Sequence, residues 1–329
     1  MDADTREFVL AGAGELNLEV VLKEAERLAG VPLTSSDPSV SYREGVGAPG
    51  AVVMTKSANR LNRLHVRAVP LARGVVADIE GGVIGPGGDP IARARRLVDV
   101  HGWDAPSASK ARLWAFGPEA ADGAVGSNVL VDCTHGQQDL GSIRDSIVTA
   151  FLRFTRGGAL ASEPLRGVRF EVHDAVVHGD SAHRGQGQIM PAAGRAFAAA
   201  MLCASPVLIE PIFALSVSTP GAHAGAVFSA LAPRRAAILC DDVKPSGAHA
   251  IAARAPAAAC FGLVAQLREA SSGNAFTALA FDGWAPVPGD AALAPDAGGA
   301  EAARAVAGVR ARKGLPPAVP PAEAYMDRL

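Results

Sequence analysis

The sequence predicts a multidomain α+β protein, and three of its features support that fold class. Short β-like runs alternate with amphipathic helices through most of the chain, as in mixed folds. From residue 211 onward the predicted elements follow the order βαββαβ, which is the split ferredoxin-like pattern. The 329 residues also exceed one average domain, so two or three units are expected.

The first predicted unit is only a short strand, a glycine turn and a helix. From Glu15 the apolar residues recur at helical spacing, and Gly30 supplies a C-terminal stop. This apolar stripe comprises Leu18, Val21, Leu22, Ala25 and Leu28. One strand and one helix cannot bury both of their faces, so we expect this segment to be the remnant of a larger domain.

The middle of the chain contains helices with clear boundaries. One has Asp89 as N-cap, Pro90 in the first turn and Gly102 beyond its end. A second is amphipathic and is followed by two glycines at 157–158; its apolar face consists of Ile143, Ile147, Phe151 and Phe154. A predicted strand at 168–177 then leads into a polar loop and a helix from about Pro191 to Ala204.

The last part of the chain divides into a folded unit and a tail. Strand-like and helix-like segments alternate from Pro211 to Trp284 and give the βαββαβ order. From Pro286 the chain is rich in alanine, proline and glycine, so composition alone predicts a linker or loose tail.

Several classes of protein are excluded by what the sequence lacks. The first residues are acidic and polar, so we expect no secretory signal there, and the longest apolar run, 196–209, is too short and too interrupted to span a bilayer. The four cysteines form no C-x-x-C pair, which argues against the usual zinc spacings and favours reduced thiols in a cytoplasmic protein. No P-loop and no G-x-S-x-G motif is present, and the segments GAGELN and GQGQIM do not complete the G-x-G-x-x-G dinucleotide motif.

Three histidines, His173, His178 and His183, are spaced by five residues. A metal site or an acid–base enzyme is one interpretation of that pattern. Regular structure does not support it, because a step of five residues turns a helix by about 140° and changes the face of a strand. We therefore predict no metal ligand and no catalytic residue here.

Basic residues without acidic neighbours form a second pattern. Between Gly45 and Ala77 the chain has no acidic side chain, and its cations are Lys56, Arg60, Arg63, Arg67 and Arg73. The segment KSANRLNR combines arginine with asparagine on a predicted loop, a composition suited to phosphate and base-edge contacts on RNA. A solvated basic loop is the alternative. The net charge of −2 favours neither.

Five segments of the chain resemble eukaryotic and archaeal translation elongation factor 2. They are AGAGELNLEVVLKEAERLAGVPLTSSDPSVSYREGV, KSANRLNRLHVRA, RGVRFEVHDAVVHGDSAHRGQGQIMP, AFDGWAPVPGD and RKGL…YMDRL. The resemblance is collinear and covers only the C-terminal portion of that family. The GTP-binding domain, with its GTP and Mg, and domain II are not among these residues, so we expect no cofactor in this chain.

The resemblance implies a domain organisation. Residues 1–42 would be the end of a ferredoxin-like domain III. Residues 43–210 with 285–329 would form domain IV, with a ribosomal-protein-like α/β fold, and residues 211–284 would form a ferredoxin-like domain V. The tail would then return to pack on domain IV.

The resemblance also implies a function: this would be the ribosome-binding, C-terminal part of an elongation factor 2-like protein that promotes translocation of tRNA and mRNA. Two loops at the tip of domain IV would contact RNA in the decoding region. They would contribute Ser57, Asn59, Arg60, Asn62 and Arg63 from the first loop, and His178, Asp180, His183, Arg184, Gly185, Gln186, Gly187 and Gln188 from the second.

In that family the histidine that matches His183 is converted to diphthamide, a cationic arm on the imidazole. The implied partners are therefore the ribosome, the diphthamide biosynthesis enzymes and ADP-ribosylating toxins, with no membrane. Gln186 stands where the family usually has glycine, and a required positive φ there would cost about 1 kcal/mol. The alternatives are a paralogous ribosome-assembly or spliceosomal scaffold and a non-functional truncated fragment.

Overall fold

The computed structural model describes residues 8, 10, 12, 15–36, 38–119, 125–136, 140–292 and 301–327. The short strand predicted before the first helix falls mainly on residues outside this part. The helices are α1 (Glu15–Ala29), α2 (Arg73–Glu80), α3 (Pro90–Asp99), α4 (Ala105–Ala108), α5 (Leu140–Phe154), α6 (Gln186–Leu202), α7 (Gly221–Leu231), α8 (Leu263–Ala270) and α9 (Glu301–Arg312). The strands are β1 (Arg43–Val46), β2 (Val53–Lys56), β3 (Arg63–Pro70), β4 (Leu113–Glu119), β5 (Val125–Asp132), β6 (Val168–Val176), β7 (Pro206–Pro220), β8 (Ala237–Val243), β9 (Ala248–Pro256) and β10 (Phe276–Pro286).

The chain divides into two units, which we call the 42–209 unit and the 210–285 unit. The first contains Tyr42–Ile209 and the described residues from Pro286 onward. The second contains Glu210–Ala285 and the described residues up to Ser41. The mixed α+β fold class predicted from the sequence is confirmed.

The 42–209 unit is built on a five-stranded sheet with the order β2-β3-β6-β5-β4. β5 and β6 pair in parallel, and the other neighbours pair antiparallel. Because successive side chains of a strand point to opposite faces, β5 places Leu130 on the α5–α6 side and its neighbours Val129 and Val131 on the α2–α3 side. Both faces are therefore covered, and the central strands are buried on each side.

The helices of this unit begin and end largely where the sequence predicts. The Asp89 carboxylate accepts hydrogen bonds from the N–H groups of Ile91 and Ala92, which caps α3. On α5 the predicted apolar face packs into the main core, where Ile143, Ile147 and Phe151 are almost fully buried.

One predicted boundary is wrong: α6 begins at Gln186, five residues before the expected start near Pro191. The Gly185 carbonyl accepts from the N–H groups of Gln188 and Ile189 and closes the first turn. Ile189 is fully buried and anchors that turn in the core. Pro191 is tolerated inside the helix because the carbonyl that loses its donor belongs to the exposed Gly187 and can bind water.

The linker predicted from the composition of the tail is also wrong. Ala302, Val306 and Val309 of α9 belong to the main core of the 42–209 unit. The buried guanidinium of Arg310 donates to the carbonyl oxygens of Leu160 and Pro316. Composition failed here because the alanines of α9 fill a closely packed face, where small side chains are useful.

The 210–285 unit has the βαββαβ order predicted for it. Its strands lie in the order β10-β7-β9-β8, with β9 antiparallel to both β7 and β8. α7 and α8 cover one face of this sheet, and Leu215, Ile251 and Leu263 are central to the core between them. This is the ferredoxin-like arrangement.

α1 ends at the predicted stop, with Gly30 in the left-handed conformation at φ 69°. Its side chains from Asn17 to Ala29 are partly or fully exposed, including Val20 and Leu28. The apolar stripe therefore has helical spacing but no buried residue along 17–29.

Candidate nucleic-acid interface

The first loop, predicted over residues 57–63, occupies residues 57–62 between β2 and β3, where Arg63 is already the first residue of β3. It is held by hydrogen bonds of its own. The Ser57 N–H donates to the Asn62 carbonyl at 2.9 Å, and the Arg60 N–H donates to the Ser57 carbonyl at 2.8 Å. Arg60 adopts a left-handed conformation with φ 61°. Ser57 and Asn62 are buried, whereas Arg60 and Arg63 are exposed.

The second loop, predicted over residues 178–188, occupies residues 177–185 between β6 and α6 and contains a tight turn. Asp180 caps a single 3₁₀ turn over Ser181–His183, and its carboxylate accepts from the Ala182 N–H. The Asp180 N–H donates to Nδ1 of His178 at 3.1 Å. An accepting Nδ1 assigns the neutral His178 ring to the tautomer that carries its hydrogen on Nε2.

Asparagine side chains of the first loop hold the backbone of the second loop. Asn59 Nδ2 and Asn62 Nδ2 both donate to the His183 carbonyl oxygen, at 2.8 Å and 2.9 Å. Asn62 Oδ1 accepts from the His178 N–H at 3.0 Å, and Gln188 Oε1 accepts from the Asn59 N–H at 3.0 Å. We call these four hydrogen bonds the loop clamp.

The loop clamp fixes the backbone of His183 and leaves its imidazole exposed. The His183 ring makes no hydrogen bond to any side chain or backbone group in the described part of the protein. Its ring contact is with His178, at 4.9 Å between centroids and an interplanar angle of 86°. The arrangement presents one imidazole to solvent from a backbone that is held on both sides.

The turn explains why the spacing argument about the histidines was incomplete. His178 and His183 do come together, because the residues between them form a 3₁₀ turn rather than a helix or a strand. His173 lies on β6, and its Nε2 is 2.9 Å from the Glu171 carboxylate. Within the described ranges, no group of three or more His, Cys, Asp or Glu side chains is placed to hold a metal ion.

The remaining residues of the second loop lie at the start of α6. Gly185 is the N-cap, and Gln186, Gly187 and Gln188 form the first turn. Gln186 is not among the residues with positive φ, so the strain considered for a glutamine at this position does not arise. Asp180, Gly185, Gln186 and Gly187 are exposed; Arg184 is half-buried and donates to the His178 carbonyl.

Two residues that the sequence did not single out for a site, Arg195 and Asp327, contact Lys56 beside the first loop. Arg195 Nη2 donates to the Lys56 carbonyl and to Asp327 Oδ2, both at 2.8 Å. Asp327 Oδ2 also accepts from the Lys56 N–H at 2.8 Å. The Lys56 amide and the Arg195 guanidinium together lower the pKa of the Asp327 carboxyl. Arg195 and Asp327 are 132 residues apart, so no local motif could have connected them.

Two further findings concern two cysteines and the polarity of the helices. Burial raises the pKa of the Cys133 and Cys260 thiols to about 11, which keeps both protonated and unreactive at neutral pH. Within the described residues, every helix is too short or too polar to cross a bilayer.

Comparison with protein families assigns most of the chain to two domains. Residues 87–205 match the family described as elongation factor G, domain IV, which includes the second loop. Residues 207–294 match the family described as elongation factor G C-terminus, which is the ferredoxin-like segment. Neither domain is the catalytic GTPase domain. The chain therefore carries an elongation factor G-like domain IV followed by an elongation factor G-like C-terminal domain, which together form an elongation factor-like translocation part.

Proposed function

We propose that the two clamped loops form the tip of an elongation factor 2-like domain IV, and that this tip contacts tRNA and mRNA in the decoding region of the ribosome. The observation that carries the proposal is the loop clamp: two asparagines of one loop fix the His183 carbonyl while the imidazole stays exposed. A tip that must reach RNA needs a rigid base and a projecting side chain.

The residues of the tip divide into two roles in this proposal. Ser57 and Asn62 are buried and act as positioning residues for the two loops. Asn59, His178 and Gln188 are half-buried and complete the same network. Arg60, Arg63 and His183 are exposed and supply the cationic and imidazole groups that contact phosphates and bases.

His183 is the residue we propose to carry a diphthamide-type modification. Its side chain is exposed and has no hydrogen-bond partner in the described part of the chain, so a modifying enzyme can reach the ring without unfolding the turn. The proposed partners are the ribosome, the diphthamide biosynthesis enzymes and ADP-ribosylating toxins. GTP and Mg would be bound by the GTPase domain of the family, and the purified chain would not hydrolyse GTP above background.

The proposed domain organisation follows from the same family. Residues 43–210 with 285–329 would be domain IV, residues 211–284 domain V, and residues 1–42 the end of domain III. Within the apolar stripe of α1, Val21 and Leu28 are exposed and Leu18, Leu22 and Ala25 are half-buried, which fits a helix that belongs to a larger domain. A cytoplasmic location follows from the proposed ribosomal partner.

The mass of the peptide that contains His183 tests the proposed modification. The chain is isolated from its native cells, digested, and compared with the same peptide produced in a host without the modification pathway. A mass increase localised to His183 by fragmentation is the expected result. An unmodified His183 in cells that modify another elongation factor 2 would instead favour the scaffold or the inactive fragment.

A further inference from the structure

A cleft of about 300 Å³ lies beside the first loop, between that loop, α6 and Asp327. Its charged lining is Lys56, Arg60, Arg195 and Asp327. Three cations therefore line the cleft with one carboxylate, although the whole chain has a formal charge of −2. A local excess of positive charge in a concave surface attracts anions.

The Arg195 guanidinium is held in place by one of its nitrogens, Nη2, and its other two nitrogens remain able to donate to a ligand. Both of its hydrogen bonds to described residues are made by Nη2, to the Lys56 carbonyl and to Asp327. Its Nε and Nη1 groups donate to no described residue. Because the two Nη2 bonds already restrict the side chain, an incoming phosphate would lose less binding free energy to ordering it.

The backbone conformation of Arg60 also favours binding of an anion in the cleft. Its φ of 61° lies in the left-handed region, which disfavours residues with a Cβ by about 1–2 kcal/mol relative to glycine. The Arg60 side chain makes no hydrogen bond or ion pair with any described residue. Strained backbone positions cluster at functional sites. Because the Arg60 side chain also has no partner among the described residues, we infer that it contacts a bound ligand.

We propose that this cleft binds a backbone phosphate of the RNA strand that the tip contacts, with Lys56, Arg60 and Arg195 as its cationic ligands. Arginine and lysine are the main phosphate ligands in protein–RNA interfaces, and such contacts fix position without reading sequence. Asp327 has two effects: it holds Arg195 in place, and its charge weakens the attraction of the cleft for the phosphate. The inference rests on the proposed function, because the RNA is that of the ribosome.

The test uses two variants with opposite changes of charge, neither of them at the tip. Binding of the full chain to purified ribosomes is measured over a series of KCl concentrations. Lys56→Gln should weaken binding by roughly threefold near 0.1 M salt and flatten the slope of log K against log salt by about 0.7–0.9. Asp327→Asn keeps the oxygen that accepts from Lys56 and Arg195 but removes the negative charge, so it should tighten binding by a similar factor.

Arg95→Gln is the matched control, because Arg95 is an exposed arginine of α3 outside the cleft. It should bind as the wild type does, within about twofold. Equal affinities for all variants would overturn the inference and leave the proposed function intact. Weaker binding by both Lys56→Gln and Asp327→Asn would show that the cleft residues only support the fold, which also overturns it. A wild-type chain that does not bind ribosomes would contradict the proposed function itself.

Discussion

Asn62 is the residue on which the geometry of the tip depends most. Its amide is buried, and it joins Ser57, His178 and His183 through both its oxygen and its nitrogen. An amide can do this because it carries an acceptor and two donors on one planar group. The same residue was predicted from sequence as an RNA contact; in the structure its side chain points into the loop network instead.

Replacing Asn62 should destabilise the 42–209 unit. Asn62→Ala removes the acceptor for the His178 N–H and leaves the buried Ser57 hydroxyl with one partner fewer, so the free energy of unfolding should fall by about 1–3 kcal/mol. Denaturant unfolding measures this loss. Leu61→Ala in the same loop, at a side chain 42% exposed, is the control and should change it by less than about 0.5 kcal/mol. Equal effects of the two variants would contradict the role of the clamp.

The structure and the sequence lead to opposite predictions for a glycine at position 186. The sequence suggests that glycine would relieve strain, whereas the structure places Gln186 in the first turn of α6. Because Gln186 is helical, Gln186→Gly should lower stability by up to about 1 kcal/mol rather than relieve strain. The melting temperature measures the sign of the change. Stabilisation by glycine would mean that the residue needs a positive φ after all, and that α6 begins later than residue 186.

Glu44 gives the 42–209 unit a dependence on pH. Its carboxylate is fully buried and accepts from the N–H groups of Leu160, Ala161 and Glu163. Burial outweighs these donors and raises its pKa from 4.5 to about 7. Between these two values the folded chain holds a proton that the unfolded chain has released, so this contribution to stability is full below about pH 4.5 and is lost as the pH rises through 7.

Glu44→Gln should remove that dependence. At pH 5 the variant should be less stable by about 1–3 kcal/mol, because its amide nitrogen cannot accept from the Leu160 N–H. The difference from the wild type should shrink as the pH rises to 8, since only the wild type loses its contribution. Unfolding at several pH values measures the two slopes, with the exposed Glu119→Gln as control. Parallel slopes for wild type and Glu44→Gln would contradict the raised pKa.

At the scale of elements, the sequence predicted those whose signals are local. The apolar spacing of α5, the cap of α3 and the βαββαβ order depend on residues within one segment, and the structure has all three. The start of α6 was missed because Pro191 favours a first-turn position, while the contact that fixes the start is the burial of Ile189. The loop clamp joins residues 116–129 positions apart, and no periodicity can reveal such a pairing.

Composition predicted a linker where the structure has α9, whose side chains pack in the main core. A substitution at a buried residue of α9 tests that packing. Val309 is 2% exposed in the main core, so Val309→Ala should lower the free energy of unfolding by about 1–3 kcal/mol. Val83→Ala, at a side chain 57% exposed, is the matched control and should change it by less than about 0.5 kcal/mol. Equal changes in the free energy of unfolding for Val309→Ala and Val83→Ala would contradict the packing of α9 in the core.

At the scale of the whole molecule, the boundary between the two matched families, at residues 205–207, lies close to the boundary between the two structural units, at residues 209–210. The 42–209 unit supplies a sheet covered on both faces, and its β2–β3 and β6–α6 connections meet at one end to form the clamped loops. The 210–285 unit is a separate ferredoxin-like fold with its own core. In the proposed function the first unit carries the RNA-contacting tip.

A photocrosslink from the tip to ribosomal RNA distinguishes this proposal from a protein-binding scaffold. A photoreactive amino acid replaces Ala182, an exposed residue next to His183, and in a second preparation it replaces the exposed Val83. After irradiation on ribosomes that carry tRNA and mRNA, position 182 should crosslink to RNA of the decoding region and position 83 should not. Crosslinks from position 182 that are no more frequent than those from position 83, or that lie outside the decoding region, would contradict the assignment of these loops as the translocation tip.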